Sequence, residues 1–236
     1  MFKFITALIA LITAINSYSV TPVSDAPSKE EQHALYMEYM ENALNTNDWD
    51  IENGHYVGFF PLGWFKNDVS KRYYAFYDID GNGIDELLTG ETEIGKNKDV
   101  SLLNIFSIEN NAVISQNFMG YAWDDGDTKA PVIYSNGNIY EPYSREFYIS
   151  YKYYRMENGE LKDFCRFNSP EGGFGIRDKY VMWVNKDGEK TECEINGFIA
   201  KIVIDSLNRY LSNSGIVEPD WQPMSRALQV QPATTK

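Results

Sequence analysis

The sequence predicts an α+β protein, an antiparallel β meander with an N-terminal and a C-terminal helix. Ser28-Lys29-Glu30-Glu31 forms a capping box and opens a stretch with apolar pairs every four residues. Short β-prone runs then alternate with Asn-Gly and Asp-Gly turns, which favour hairpins over βαβ units. Near the end, Asn196 stands before a second apolar-periodic stretch that Ser214-Gly215 stops.

In chain order, Lys3 precedes an apolar run over residues 4–15, followed by Asn16-Ser17-Tyr18-Ser19. This is the pattern of a secretory signal peptide, residues 1–19, with cleavage expected after Ser19. The run is shorter than the roughly 20 residues that span a bilayer. No Cys follows it, so the pattern lacks a bacterial lipid-anchor site. The expectation is a secreted, extracellular protein with no membrane contact after cleavage. Residues 20–28 read as a linker, 29–212 as a single α+β domain, and 213–236 as a partly ordered tail.

The capping box predicts a helix over 29–46 that buries Leu35/Tyr36, Tyr39/Met40 and Ala43/Leu44, with His33 a solvated residue in its first half. Residues 56–60 read as a strand or buried loop ended by Pro61. Residues 73–77 and 86–90 read as two strands joined by an acidic loop. The meander continues with 100–108, a turn at Glu109-Asn110-Asn111, and a return over 112–121. Residues 132–134 and 139–140 flank Ser135-Asn136-Gly137-Asn138, and 147–156 turns through Glu157-Asn158-Gly159-Glu160 into 161–167. Residues 180–184 lead through Asn185-Lys186-Asp187-Gly188 to the strand that holds Cys193. The last helix, 197–212, is expected to bury Phe198, Ile199, Ile202, Val203, Leu207, Tyr210 and Leu211. The tail carries Pro219, Pro223 and Pro232, and Trp221 is its candidate for packing back on the body.

The acidic loop is Asp78-Ile79-Asp80-Gly81-Asn82-Gly83-Ile84-Asp85-Glu86. Oxygen-bearing side chains fall at its first, third, fifth and ninth positions, with glycine at the sixth, the spacing of an EF-hand-like calcium loop. A hard cation takes six to eight oxygens, and alternate residues of a tight turn can aim theirs inward. The candidate metal ligands are Asp78, Asp80, Asn82, the Ile84 carbonyl and Glu86, with calcium as the cofactor. Thr89 stands where a helical EF-hand has its bidentate Glu, so Glu86 is the late carboxylate. That donor set predicts weak, extracellular-type affinity, roughly 0.1–1 mM. The same residues also suit a metal-free Asx-rich hairpin turn.

Cys165 and Cys193 make an even count, and in an exported chain they are expected to form a disulfide worth roughly 3–4 kcal/mol. Two free thiols remain the alternative. The 21 basic against 34 acidic residues give a net charge of −13, which argues against nucleic acid or an anionic membrane as partner. At 43% hydrophobic and 15% aromatic, the chain can build a core, and a monomer is expected.

Catalytic signals are few. With only His33 and His55, no His-Glu-x-x-His or three-His site is possible. No Gly-x-Ser-x-Gly elbow is present, and Glu171-Gly172-Gly173-Phe174-Gly175 lacks the Lys-Ser/Thr of a phosphate loop. Asp124, Asp125 and Asp127 beside Trp123 suit a second cation, an acid–base pair acting on a sugar, or a solvated acidic loop. The 17 Tyr and five Trp suit a core or a sugar-stacking face. The reading is a secreted, calcium-binding, non-catalytic domain for an extracellular glycan or protein partner. The alternative is a carboxylate-dependent hydrolase acting on carbohydrate.

The nine-residue loop resembles those between strands of integrin-like propeller repeats. An aromatic strand running into an Asp-x-Asp-Gly-Asn-Gly loop and an acidic-Leu-Leu exit, Phe76 through Leu88, also resembles uncharacterised secreted proteins and lipoproteins of Gram-positive, often gut-dwelling bacteria. That resemblance would cover residues 30–212, but only the loop is specific. It implies export and a metal loop and no particular activity. The chain departs from the lipoprotein members in lacking the anchoring Cys, and it carries a Cys pair.

Overall fold

The computed structural model describes residues 2–16, 22–24, 26–45, 51–52, 55–56, 71–92, 100–116, 118, 130–145, 148–169, 179–186 and 188–227. In chain order the elements are α1 (Phe2–Asn16), α2 (Lys29–Asn45), β1 (Ile51–Glu52), β2 (His55–Tyr56), β3 (Arg72–Tyr77), β4 (Glu86–Thr92), β5 (Val100–Glu109) and β6 (Ala112–Ser115). They continue with β7 (Val132–Ile133), β8 (Asn138–Arg145), β9 (Tyr148–Glu157), β10 (Glu160–Asn168), β11 (Lys179–Lys186), β12 (Glu189–Asn196), α3 (Gly197–Ser212), β13 (Gln222–Pro223) and α4 (Met224–Ala227). The chain divides into two compact units. One comprises Met1–Pro22, Ile79–Asn82 and Tyr121–Glu218, the other Val23–Asp78, Gly83–Gly120 and Pro219–Lys236. Antiparallel sheets dominate, so the α+β class holds. The strands form two larger sheets rather than one meander, and α1 adds a helix ahead of the expected first one.

In the second unit the strand order is β13-β3-β4-β5-β6, and β1 pairs with β2 separately. The capping box at α2 forms as its residue types dictate. The Ser28 amide donates to Glu31 Oε2 at 2.9 Å, and the Glu31 amide donates to the Ser28 hydroxyl at 3.3 Å. The fully buried stripe is Gln32, Tyr36 and Met40, one residue per turn, and Tyr36 and Met40 pack with Tyr74, Leu87, Phe106 and Met224. Gly90 marks a register shift between β4 and β5. A Cβ there would lie 2.5 Å from Val100 Cγ1 and 2.8 Å from the Ser101 carbonyl, so only glycine lets the strands approach. The Trp221 ring lies 3.1 Å from the same point, so the tail does pack back. β13 joins the edge of β3, and Met224 is 1% exposed.

In the first unit each strand of the order β12-β11-β10-β9-β8-β7 lies beside its sequence neighbour. The Asn-Gly turns act as predicted. Asn158 and Gly159 both have positive φ, 52° and 77°, the primed-turn geometry that matches strand twist. α1 and α3 join a core with Tyr153, Phe164, Cys165, Phe167, Met182 and Val184 from this sheet. The apolar run expected to be a leader is thus helical here. Its Ala7, Leu11 and Ala14 are buried, and the buried Arg155 donates to the Ala14 and Ile15 carbonyls at 2.6 and 3.1 Å. A guanidinium suits the negative end of a helix. Among the described residues no helix is long and apolar enough to cross a membrane.

Two expectations are corrected in this unit. Asn196 caps α3 as predicted, its side chain accepting from the Ile199 amide at 2.8 Å. The buried stripe, however, is Ala200, Ile204, Leu207 and Leu211, with Ile199 and Val203 partly buried beside it. Phe198, Ile202 and Tyr210 are 75%, 49% and 49% exposed. Leu207, Leu211, Ile199 and Val203 thus pack as expected, while the expected stripe is too wide by Phe198, Ile202 and Tyr210 and omits Ala200 and Ile204. The disulfide between Cys165 and Cys193 is also absent, and both residues are buried free thiols. Cys165 on β10 pairs with Val184, and Cys193 on β12 pairs with Met182, so β11 runs between them. Two strand spacings place their Cα atoms at least about 9.5 Å apart, beyond the reach of about 7 Å that a bridge allows.

The opposite face of this sheet buries charged side chains beside Ile139, Tyr154 and Met156. Glu141 on β8 is 2% exposed, accepts from the Tyr154 hydroxyl at 2.8 Å and lies 3.1 Å from Lys152 Nζ, both on β9. On β10 Asp163 is paired with Arg166.

Candidate metal centre

β3 delivers Asp78, and β4 begins at Glu86, so the acidic loop is the connection of a hairpin. Gly81 and Gly83 take positive φ, 72° and 95°, and so permit the tight path that a side chain at either place would strain. The Asp78 carboxylate accepts from the Gly83 amide at 2.9 Å, and Asp80 accepts from the Asn82 amide at 3.1 Å. Asp80 Oδ2 also accepts from the Gly159 amide at 2.9 Å.

These turns bring one carboxylate oxygen each from Asp78, Asp80 and Glu86 within 4.8 Å of one another. Two oxygens bound to one calcium at about 2.4 Å are at most about 4.8 Å apart, so the cluster has the span of a shared cation. Asp80 is 3% exposed and Glu86 fully buried. Ionised acids buried this close repel and lose hydration, and a divalent cation offsets both costs. The Glu86 charge also acts on the neighbouring Tyr36, whose hydroxyl is pushed well above the usual tyrosine range, first by burial and then by that carboxylate.

Asn82, a predicted ligand, is 2% exposed and turns its amide nitrogen toward Asp80 Oδ2 at 3.3 Å. Of the five predicted ligands, the structure therefore gathers Asp78, Asp80 and Glu86, with Asn82 bonded to the group.

Sequence reasoning missed what holds the exit of this loop. Gln32 Oε1 accepts from the Asp85 amide at 2.8 Å, and its Nε2 donates to the Gly83 and Pro27 carbonyls at 3.2 and 2.7 Å. The Tyr36 hydroxyl donates to the Asp85 carbonyl at 2.7 Å. The Asp85 carboxylate turns away from the cluster to Lys29 at 2.5 Å and His33 Nε2 at 2.8 Å. His33 also stacks on Phe76 with ring centroids 4.0 Å apart, which corrects its reading as a merely solvated helix residue. A glutamine in the apolar stripe of α2 was the available signal, because a buried amide needs partners. Nothing in the sequence pointed to Gly159.

Asp124, Asp125, Asp127, the glycine-rich residues 171–175, most of the expected strand over 56–60, the end of the return strand to 121 and the Ser19 cleavage point lie outside the described residues. No family model, curated protein or solved structure matches the chain.

Proposed function

We propose that this protein is a secreted, non-catalytic calcium-binding domain that engages a glycan or protein partner outside the cell. The observation that carries the calcium reading is the convergence of Asp78, Asp80 and Glu86 on one small volume, two of them nearly or fully buried. An all-oxygen donor set favours a hard cation over zinc or copper. Calcium bound there joins the two ends of the β3–β4 connection and fixes the shape of the loop. Export rests on the leader pattern of residues 1–19.

Thermal melting with calcium and with a chelator tests the metal site, using wild type and Asp78→Ala. Calcium at a hundredfold excess over its dissociation constant should stabilise wild type by about 2.7 kcal/mol, and the variant far less. An identical calcium shift in both proteins sinks the assignment.

A further inference from the structure

Four side chains on one face of α2 reach the exit of the acidic loop. Lys29, Gln32, His33 and Tyr36 fall at i, i+3, i+4 and i+7, a single stripe of the helix. Each of them bonds to Gly83 or Asp85. Helix and loop exit both belong to the second unit. Lys29 and His33 engage the Asp85 carboxylate, whereas Gln32 and Tyr36, both fully buried, hold main-chain groups.

This buried pair fixes three successive peptide units. Gln32 Nε2 donates to the Gly83 carbonyl at 3.2 Å, and Gln32 Oε1 accepts from the Asp85 amide at 2.8 Å. The Tyr36 hydroxyl donates to the Asp85 carbonyl at 2.7 Å. These groups lie in the units that join residues 83–84, 84–85 and 85–86. A peptide unit is planar and trans, so its N–H and its C=O point to opposite sides. With the Asp85 amide turned to Gln32, the Ile84 carbonyl of the same unit is turned away from Gln32. That carbonyl is the candidate main-chain ligand. The orientation of the Gln32 amide is itself forced. Only its oxygen accepts from an N–H, and only its nitrogen donates, here to the Gly83 and Pro27 carbonyls.

Packing alone gives no reason for a glutamine at this position. Tyr36 and Met40 continue the buried stripe into an apolar cluster, and a methionine of similar length suits the same place. A buried amide must find partners for both its oxygen and its nitrogen. The partners Gln32 finds are main-chain groups of the loop exit and of the residue before α2 opens.

The two common hard cations make different demands on such a loop. Calcium takes oxygens at about 2.3–2.6 Å in a pliant shell, whereas magnesium requires about 2.0–2.1 Å and near-octahedral geometry. A loop that suits calcium must draw in by about 0.3–0.5 Å at each ligand to hold magnesium. A loop with a free exit can follow the smaller ion. One whose exit peptides are bonded to a packed helix must break those bonds to do so. We propose that Gln32 is a positioning residue for the metal loop, which directs the Ile84 carbonyl to the ion and sets the preference of the site for calcium over magnesium. The inference rests on the calcium reading above and adds the residue that tunes it.

The test is calorimetric titration of wild type, Gln32→Met and Tyr36→Phe with calcium and, separately, with magnesium. Gln32→Met keeps the apolar stripe of α2 and removes three hydrogen bonds. It should weaken calcium by about tenfold or more and magnesium far less, so that the preference for calcium falls. Tyr36→Phe keeps the ring, drops only the hydroxyl and should move the preference the same way by a smaller factor. It also serves as the deciding variant if Gln32→Met does not fold. General loosening of the protein weakens both ions by the same factor, so the ratio separates positioning from lost stability. An unchanged calcium-to-magnesium ratio in folded Gln32→Met, or in Tyr36→Phe where it is the deciding variant, overturns the role of Gln32 and leaves the metal site standing. Absence of calcium binding by wild type overturns the metal reading and this inference with it.

Discussion

On the six-stranded sheet, Glu141 lies 3.1 Å from Lys152, and Asp163 is paired with Arg166 three residues along its own strand. In the β3–β4 connection, Asp78, Asp80 and Glu86 instead crowd within 4.8 Å of one another, and the nearby Lys29 and His33 are both engaged by Asp85. The first arrangement carries its own countercharge on neighbouring positions of a rigid sheet. The second gathers three carboxylates in a turn, an arrangement that could hold a metal ion. The same residue type is thus paired along a strand in one place and clustered with its like in the other. The difference lies in whether a cation is built in.

The largest effect should come from breaking the self-contained arrangement. Lys152→Met leaves Glu141, 2% exposed, with the Tyr154 hydroxyl and no ammonium, and should cost about 3–5 kcal/mol in urea unfolding. That loss should be the same in calcium and in chelator. A calcium-dependent loss would tie Glu141 to the ion-binding loop.

Glu86→Gln should instead change sign with the ion. In calcium it should lose much of the roughly 2.7 kcal/mol that saturation supplies. In chelator it should be neutral or stabilising, because it removes one of three crowded acids. Equal destabilisation under both conditions would make Glu86 a structural acid like Glu141.

How much of this was legible in the sequence follows the same division. Elements set by local chemistry were readable: the capping box at Ser28 and Glu31, the Asn158-Gly159 turn, the Asn196 cap, and the ligand spacing from Asp78 to Glu86. Features set by which strand lies beside which were not. The free thiols depend on β11 separating Cys165 from Cys193, and two cysteines in a sequence say nothing of an intervening strand. The placement of Asp163 depends on a bulge with no residue signature of its own. The stripe of α3 is legible at Ile199, Val203, Leu207 and Leu211 but too wide, because Phe198, Ile202 and Tyr210 are also large and largely apolar. Gln32 was overlooked because it lies on an apolar face, although that position was itself the clue.

A smaller effect sharpens the account of α2, the helix that holds the loop exit. Ser28→Ala should cost about 1 kcal/mol. The Ser28 amide and hydroxyl hold the Glu31 carboxyl below its ordinary value. A lowered acid stabilises the fold above its unfolded value near 4.5 and loses that contribution as pH falls through the folded one. The stability difference between wild type and Glu31→Gln should therefore be present at neutral pH and vanish in strong acid. A difference that persists in acid would assign Glu31 another role.

The smallest expected effect is none. Dithiothreitol should leave the melting temperature unchanged, and a thiol reagent should label Cys165 only after unfolding. Burial both shields this thiol and raises it well above the ordinary cysteine range. A reductant-sensitive melt would restore a bridge that β11 forbids.

The added strand β13 has a further consequence for the solution behaviour of the chain. It pairs with β3 at Tyr73 and Tyr74, and one of its two residues, Pro223, has no amide hydrogen to offer an incoming neighbour. A chain cut before Pro219 bares that row of main-chain donors and acceptors on an aromatic strand. Such a border invites the same border of another molecule, so the trimmed protein should pass from separate particles to stacked ones as its concentration rises.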